Sequence, residues 1–278
     1  MDVKRDLYLS LLEKTLSFSL WDEPPAPLEA FAFKRGPLQR WALDMASKVL
    51  AKRNLGLFEL RKVDASEREE GRYWPGYAMT MIGPKRLANL RACVETVLAD
   101  GVPGDLIETG VWRGGACIFM KAILAAHGDT ERRLFVADSF AGLPPPDAEK
   151  YPADRGDLFH TLSSYFAVSE GQVRDNFIKY GLLDERVVFL RGWFKDTLPQ
   201  LPSDRLAVIR LDGDMYESTM DGLKNLYHKL SPGGFCVIDD YGLTTCAQAV
   251  DDFRKQQGIT EELKTIDWTG RFWRKASG

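Results

Sequence analysis

Two hydrophobic runs of this chain end in neighbouring carboxylates. Asp212-Gly213-Asp214 closes one, and Asp239-Asp240 closes the next. Acids that emerge side by side from buried strands repel one another, and isolated buried charge is costly. A cation would offset that cost. A hard divalent ion with oxygen ligands and open positions for water or substrate fits Asp212, Asp239 and Asp240, with Mg²⁺ the best match. The competing reading makes these acids solvated strand ends or helix caps, with Asp214 placed to cap a helix over about 217–230.

A second constellation is Glu108-Thr109-Gly110-Val111-Trp112-Arg113-Gly114-Gly115, which follows an apolar run and opens a helical pattern. Glycines there let the backbone turn sharply and approach a ligand closely, while the helix start presents free N–H groups. A plain strand-to-helix turn would use the same residues. The spacing is G-x-x-x-G-G, and Glu108 just ahead of it would repel a pyrophosphate. Asp138, at the end of the next run, is placed to accept hydrogen bonds from a ribose diol, or else to cap the turn that follows. Glu108 and Asp138 together favour a nucleoside that carries positive charge and lacks phosphate, which describes S-adenosylmethionine. No G-x-x-x-x-G-K-[ST] run occurs, and no tyrosine has a lysine four residues on, so a P-loop and the Tyr/Lys pair of short-chain reductases are excluded. Of the three histidines, His127 and His228 read as surface residues. His160 lies in a long polar loop, where a general-base or substrate-orienting role competes with that of an ordinary loop histidine.

The elements that must position these residues begin at Asp105. Apolar runs over 106–108, 134–138, 187–190, 207–212 and 235–239 alternate with helical patterns, the signature of an α/β fold with a parallel sheet and crossover helices. In such sheets the ligand crevice lies at the carboxyl ends of the strands, so the terminal acids collect on one rim. A helix over about 247–257 and a closing hairpin from 262–266 and 271–274 complete this part. Ahead of it stand an amphipathic helix over 5–21 ended by Pro24, Pro25 and Pro27, and a second started by Pro37 with Leu38, Trp41, Met45 and Val49 at helical spacing. A loop over 62–77 and a third helix carrying Leu87, Leu90, Val94 and Val97 follow. The expected division is a helical cap over 1–100 and a ligand-binding domain over 101–278. The cap's apolar stripes would pack on the core or join copies of the chain in a homo-oligomer.

Composition sets the outer bounds. The 278 residues carry 37 basic and 40 acidic side chains, which gives no broad basic field for nucleic acid. No stretch approaches the roughly 18 apolar residues of a membrane span, and no long apolar leader opens the chain, so the expectation is a cytoplasmic protein with no membrane partner. The cysteines Cys93, Cys117, Cys236 and Cys246 lie far apart and read as reduced core thiols, with a zinc site the minor alternative.

These motifs resemble a known family. Together, 102–116 around the glycine loop, Val136-Ala137-Asp138-Ser139-Phe140-Ala141-Gly142-Leu143-Pro144, Arg210-Leu211-Asp212-Gly213-Asp214-Met215-Tyr216-Glu217-Ser218-Thr219 and Asp239-Asp240-Tyr241 are similar to the signature of the macrocin O-methyltransferase (TylF-type) family, over about 79–274. The resemblance implies a Rossmann-like class I methyltransferase core with a mainly parallel sheet. It also implies S-adenosylmethionine and Mg²⁺ as cofactors, and a sugar-bearing small-molecule acceptor such as a macrolide or aminocoumarin glycoside. It puts metal ligands on Asp212, Asp239 and Asp240, and cofactor contacts on Glu108, Thr109, Gly110, Gly114, Asp138, Ser139 and the Gly192-Trp193-Phe194 segment, where an aromatic wall for adenine is expected. Thr80 and Met81 match a segment that closes over the methionine end, and the proton acceptor falls on Asp214 or His160, next to Asp212. The stretch 31–63 departs from the family pattern. It is expected to wall the acceptor site or make subunit contacts, which leaves a polysaccharide sugar or a catechol as alternative acceptors and a non-catalytic binding module as the reading from another class.

Overall fold

The acid-ended runs form the parallel strands of one sheet. A computed structural model of the chain describes residues 2–28, 35–60 and 62–276. Its N-terminal part contains helix α1 (Val3–Leu16), a two-residue strand pair β1 (Ala26–Pro27) and β2 (Phe58–Glu59), α2 (Pro37–Ala51), α3 (Ala65–Glu69) and α4 (Pro84–Ala99). Then come β3 (Asp105–Thr109), α5 (Gly115–Ala126), β4 (Leu134–Asp138), α6 (Ser163–Phe166), α7 (Glu170–Lys179), β5 (Val187–Arg191), α8 (Phe194–Thr197) and β6 (Leu206–Leu211). The chain closes with α9 (Tyr216–Leu226), β7 (Leu230–Ile238), α10 (Thr244–Gln257), β8 (Lys264–Thr265) and β9 (Arg271–Arg274).

The sheet runs β5-β4-β3-β6-β7-β9-β8. Strands β3 to β7 pair parallel, and the β8–β9 hairpin adds an antiparallel edge. The chain moves outward from β3 through β4 to β5, then crosses back to β6, so the order reverses between β3 and β6. That switch point is where a doubly wound sheet binds its ligand. Side chains alternate between the two faces and build two apolar layers. Leu106, Val136 and Val208 pack with α1, α4, α5 and α7, whereas Ile107, Phe135 and Ile209 pack with α9, α10 and Trp273. Helix α5 is buried from Gly115 to Leu124 and correspondingly apolar on every face except at Lys121, whose ammonium meets Asp184 at 2.8 Å. This matches the Rossmann-like α/β fold read from the sequence.

Local departures from the sequence reading have identifiable causes. Helix α1 stops at Leu16, before the prolines, where Ser17 bonds back to the Glu13 carbonyl and Phe18 turns left-handed at φ 57°. The 62–77 segment is not all loop, because Asp64 caps the short α3 by accepting from the Ser66 N–H at 2.8 Å. Helix α2 forms where Pro37 opens it, yet none of its residues is buried and Leu38, Trp41, Met45 and Val49 stay exposed. Of the divergent 31–63 stretch, residues 31–34 and 61 lie outside the described residues. All four cysteines are free and buried, as expected of core thiols. Among the described residues no helix is long and apolar enough to cross a membrane.

Helix α9 ends at Leu226, followed by a single 3-10 turn, Tyr227–Lys229. Asp214 does not cap it. The cap comes from afar: the buried carboxylate of Asp154, in the β4–β5 connection, accepts from the Tyr216 N–H at 2.7 Å and the Glu217 N–H at 3.0 Å. A side chain that satisfies two orphan N–H groups at a helix start contributes about 1–2 kcal/mol. Asp154→Ala should therefore lower the unfolding free energy by about 1–2 kcal/mol in urea titrations, while Asp154→Asn retains most of it. An unshifted midpoint for the alanine variant would refute the capping role.

Candidate active site

The glycine loop is braced against the acid-bearing segment beside it. Gly110 adopts φ 80°, donates its N–H to the Ala137 carbonyl at 2.9 Å, and leaves so little room that a Cβ would lie 1.8 Å from the Asp212 carbonyl oxygen. The Asp212 N–H in turn reaches the Thr109 carbonyl at 2.9 Å. Gly114, at φ 84°, starts α5. The next N–H, that of Gly115, donates to the Met79 carbonyl at 2.9 Å and draws Thr80 and Met81 over the loop. Arg113 fastens the same segment by donating to the carbonyls of Gly76 and Ala78, at 3.0 and 2.7 Å.

One cavity of about 1180 Å³, open mouth included, lies against this loop. Thr80, Met81, Glu108, Gly110, Asp138 and Ser139 meet on its wall, with Trp193 and Phe194 across from them and Asp212 and Asp214 toward the acid cluster. Thr109, Gly114, Gly192, Asp239 and Asp240 are not on that wall. His160 is not either: it sits half-buried in the 3-10 turn Phe159–Leu162, so the structure does not bring it to the cavity.

Two of the expected cofactor acids already have partners. Asp138 accepts from the backbone N–H groups of Val111 at 2.8 Å and Phe140 at 2.7 Å, which shapes the loop around it. Glu108 pairs one oxygen with Arg210, and its other oxygen accepts from the Cys117 thiol at 2.7 Å. Burial pushes the Glu108 carboxyl up to about 7 despite the arginine beside it.

Of the expected metal trio, Asp212 and Asp240 lie together, while Asp239 is held by two arginines. Asp239 gives one oxygen to Arg210 at 2.5 Å and the other to Arg86, whose Nε reaches Asp267 at 2.8 Å. Asp214 instead joins Asp212 and Asp240, and one oxygen from each of these three lies within 4.8 Å of the others. A left-handed turn at Asp214, φ 58°, puts it there, and its N–H donates to Asp240 at 3.1 Å. Burial, reinforced by neighbouring acids, pushes Asp212 up to about 6 and holds Asp214 and Asp240 well above the usual carboxylate range. Six carboxylates here (Glu108, Asp212, Asp214, Asp239, Asp240 and Asp267) face only two guanidiniums, Arg86 and Arg210. Such an excess of buried oxygen donors suits a hard divalent cation. Arg86, Cys117 and Asp154 gave no motif signal; Arg210 lay in plain view inside an apolar run.

Comparison with known proteins gives a consistent result. A family model described as Macrocin-O-methyltransferase (TylF) matches residues 5–275. The chain is 52% identical, over 97% of its length and 93% of that protein, to the 8-demethyl-8-(2,3-dimethoxy-alpha-L-rhamnosyl)-tetracenomycin-C 4'-O-methyltransferase of Streptomyces olivaceus. It is 56% identical, over 75% of its length and 80% of that protein, to the demethyldecarbamoylnovobiocin O-methyltransferase of Streptomyces niveus. Among solved structures it resembles the O-methyltransferase NovP, with a TM-score of 0.84, 45% identity and coverage of 98% of this chain and all of that one.

The contact between Gly110 and Asp212 yields a direct test. Gly110→Ala should cost at least about 1–3 kcal/mol of stability through its left-handed backbone alone, with the clash adding to that. Chemical denaturation measures it, and a wild-type midpoint would show that the two segments are not in contact.

Proposed function

The chain belongs to the macrocin-O-methyltransferase family, and on that premise we propose that it methylates a sugar hydroxyl of a glycosylated natural product, using S-adenosylmethionine and Mg²⁺. It is an O-methyltransferase by family. The observation that carries the finer reading is a cavity whose wall joins the glycine loop to the Asp212–Asp214 turn. The printed name of the tetracenomycin relative places its methylation on a rhamnosyl group, which supports a sugar acceptor here. With no membrane-crossing helix among the described residues and four unpaired cysteines, a cytoplasmic enzyme is the consistent setting.

S-adenosylmethionine supplies an electrophilic methyl group, and Mg²⁺ supplies Lewis acidity that lowers the pKa of a hydroxyl and orients it. Thr80, Met81 and the glycine loop hold the methionine end of the cofactor, while Trp193 and Phe194 wall its adenine. Asp212 and Asp240 hold the cation, with Asp214 as the third carboxylate in reach. Asp214 also accepts the acceptor's proton, because it faces the cavity beside the acid cluster. That proton comes from the acceptor hydroxyl, which S-adenosylmethionine, when bound, would methylate. Trp112 and Phe166 add aromatic surface to the same cavity.

A metal that grips two neighbouring hydroxyls selects for a vicinal diol, and a catechol would satisfy the same clamp. Assays with labelled cofactor against a panel of sugars and catechols should show turnover of glycosides and little of catechols; the reverse would replace the acceptor class. Chelation should lower activity by about 100-fold or more, with recovery on adding Mg²⁺. Full activity in excess chelator would refute the metal. Asp214→Asn should lower kcat by about 10²–10⁴-fold with the cofactor still bound, and near-normal turnover would remove Asp214 as the base.

A further inference from the structure

The residue that links the cofactor half of the cavity to its acid cluster touches neither ligand site directly. Arg210 lies on β6, between β3 and β7, with its side chain 2% exposed. Its Nη1 contacts both Glu108 on β3 and, at 3.0 Å, Asp212 at the end of its own strand, while its Nη2 contacts Asp239 at the end of β7 at 2.5 Å. Register explains the convergence. Glu108 and Arg210 are aligned partners in the parallel pair and share a face, Asp212 follows two residues on, and Asp239 stands two residues beyond Val237, the partner of Arg210 on the other side.

We propose that Arg210 is a positioning residue whose one guanidinium sets the geometry of both the cofactor acid Glu108 and the metal acid Asp212. The inference rests on the cofactor and metal reading given above. The shared nitrogen is the physical basis. Nη1 has two N–H donors and gives one to Glu108 and one to Asp212, so a rigid guanidinium that shifts toward one acid lengthens its contact with the other. The Glu108 carboxylate draws Nη1 away from Asp212 and leaves Asp212 free for a cation. If Glu108 loses its charge, Nη1 turns wholly to Asp212 and competes with the ion. Only a planar fork can hold three carboxylates on two nitrogens, because a lysine offers all its donors from a single atom. Arg86 provides the comparison. It contacts Asp239 and Asp267 but neither Glu108 nor Asp212.

Calorimetric titration of the full chain with Mn²⁺ alone, and separately with S-adenosylhomocysteine, tests this without relying on turnover. Arg210→Lys should weaken both ligands by about tenfold or more, whereas Arg86→Lys should leave S-adenosylhomocysteine within about threefold of wild type. Glu108→Gln should weaken Mn²⁺ several-fold, and that loss should shrink in the Arg210→Lys background, a non-additivity that general destabilisation would not produce. If Arg210→Lys fails to fold, Glu108→Gln carries the test alone. Unchanged Mn²⁺ affinity in Glu108→Gln, or unchanged affinities for both ligands in a folded Arg210→Lys, overturns the proposal. Failure of the wild type to bind S-adenosylhomocysteine would instead refute the cofactor reading on which it rests.

Discussion

A guanidinium buried at the convergence of three strand ends is the constraint around which this molecule is organised. A parallel sheet brings the carboxyl ends of its strands together, and here β3, β6 and β7 each bring acids to that rim. Acids gathered in a low-dielectric rim would force the strands apart or take up protons. Arg210 offsets part of that cost for Glu108, Asp212 and Asp239. Arg86, reaching in from α4, extends the pairing to Asp267 in the β8–β9 turn. That turn is itself shaped by Asp267, which accepts from the N–H groups of Thr269 and Gly270. A helix outside the ligand-binding half and a hairpin at the far edge of the sheet are therefore locked to the rim by the charges that build the site. Removing one member would strand its partners without water, which costs far more than the net contribution of the intact pairs.

The same network explains what could be read from the sequence and what could not. Strands that end in acids announce themselves locally, since an apolar run followed by aspartate is visible at a glance and sheet topology then places all such ends on one rim. Glu108, Asp138, Asp212 and Asp240 were legible in this way. Their partners were not. Arg86 meets Asp239 across 153 positions of chain, and Asp154 caps α9 from 62 positions upstream. Neither contact leaves a periodic trace. Arg210 was visible as a charge inside an otherwise apolar strand, and that anomaly was the available signal: a buried arginine must be saturated with acceptors, so its neighbours at the strand ends were already implied. That Asp239 meets both arginines while Asp214 lies with Asp212 and Asp240 has the same origin, because only the placement of the two arginines shows which acids are already paired. His160 had position in a polar loop to recommend it, but which part of a loop of that length faces the cavity is set by packing alone.

The acids of the rim thus divide into two sets, and the division locates the chemistry. Glu108, Asp239 and Asp267 have both oxygens engaged by donors or cations of the protein itself. Asp214 and Asp240 have no ion pair with a basic side chain among the described contacts, and Asp212 keeps one oxygen clear of Arg210. The uncompensated charge falls where the arginines stop, at the left-handed turn of Asp214 beside the cavity. Desolvation that would make such a cluster a defect elsewhere makes it strongly attractive to a small dication, since the attraction grows in the same low dielectric that raises the cost. An excess of acid in this fold therefore need not be assembled one residue at a time. It follows from strands β3, β6 and β7 that each bring acids to one rim, where two arginines face six carboxylates.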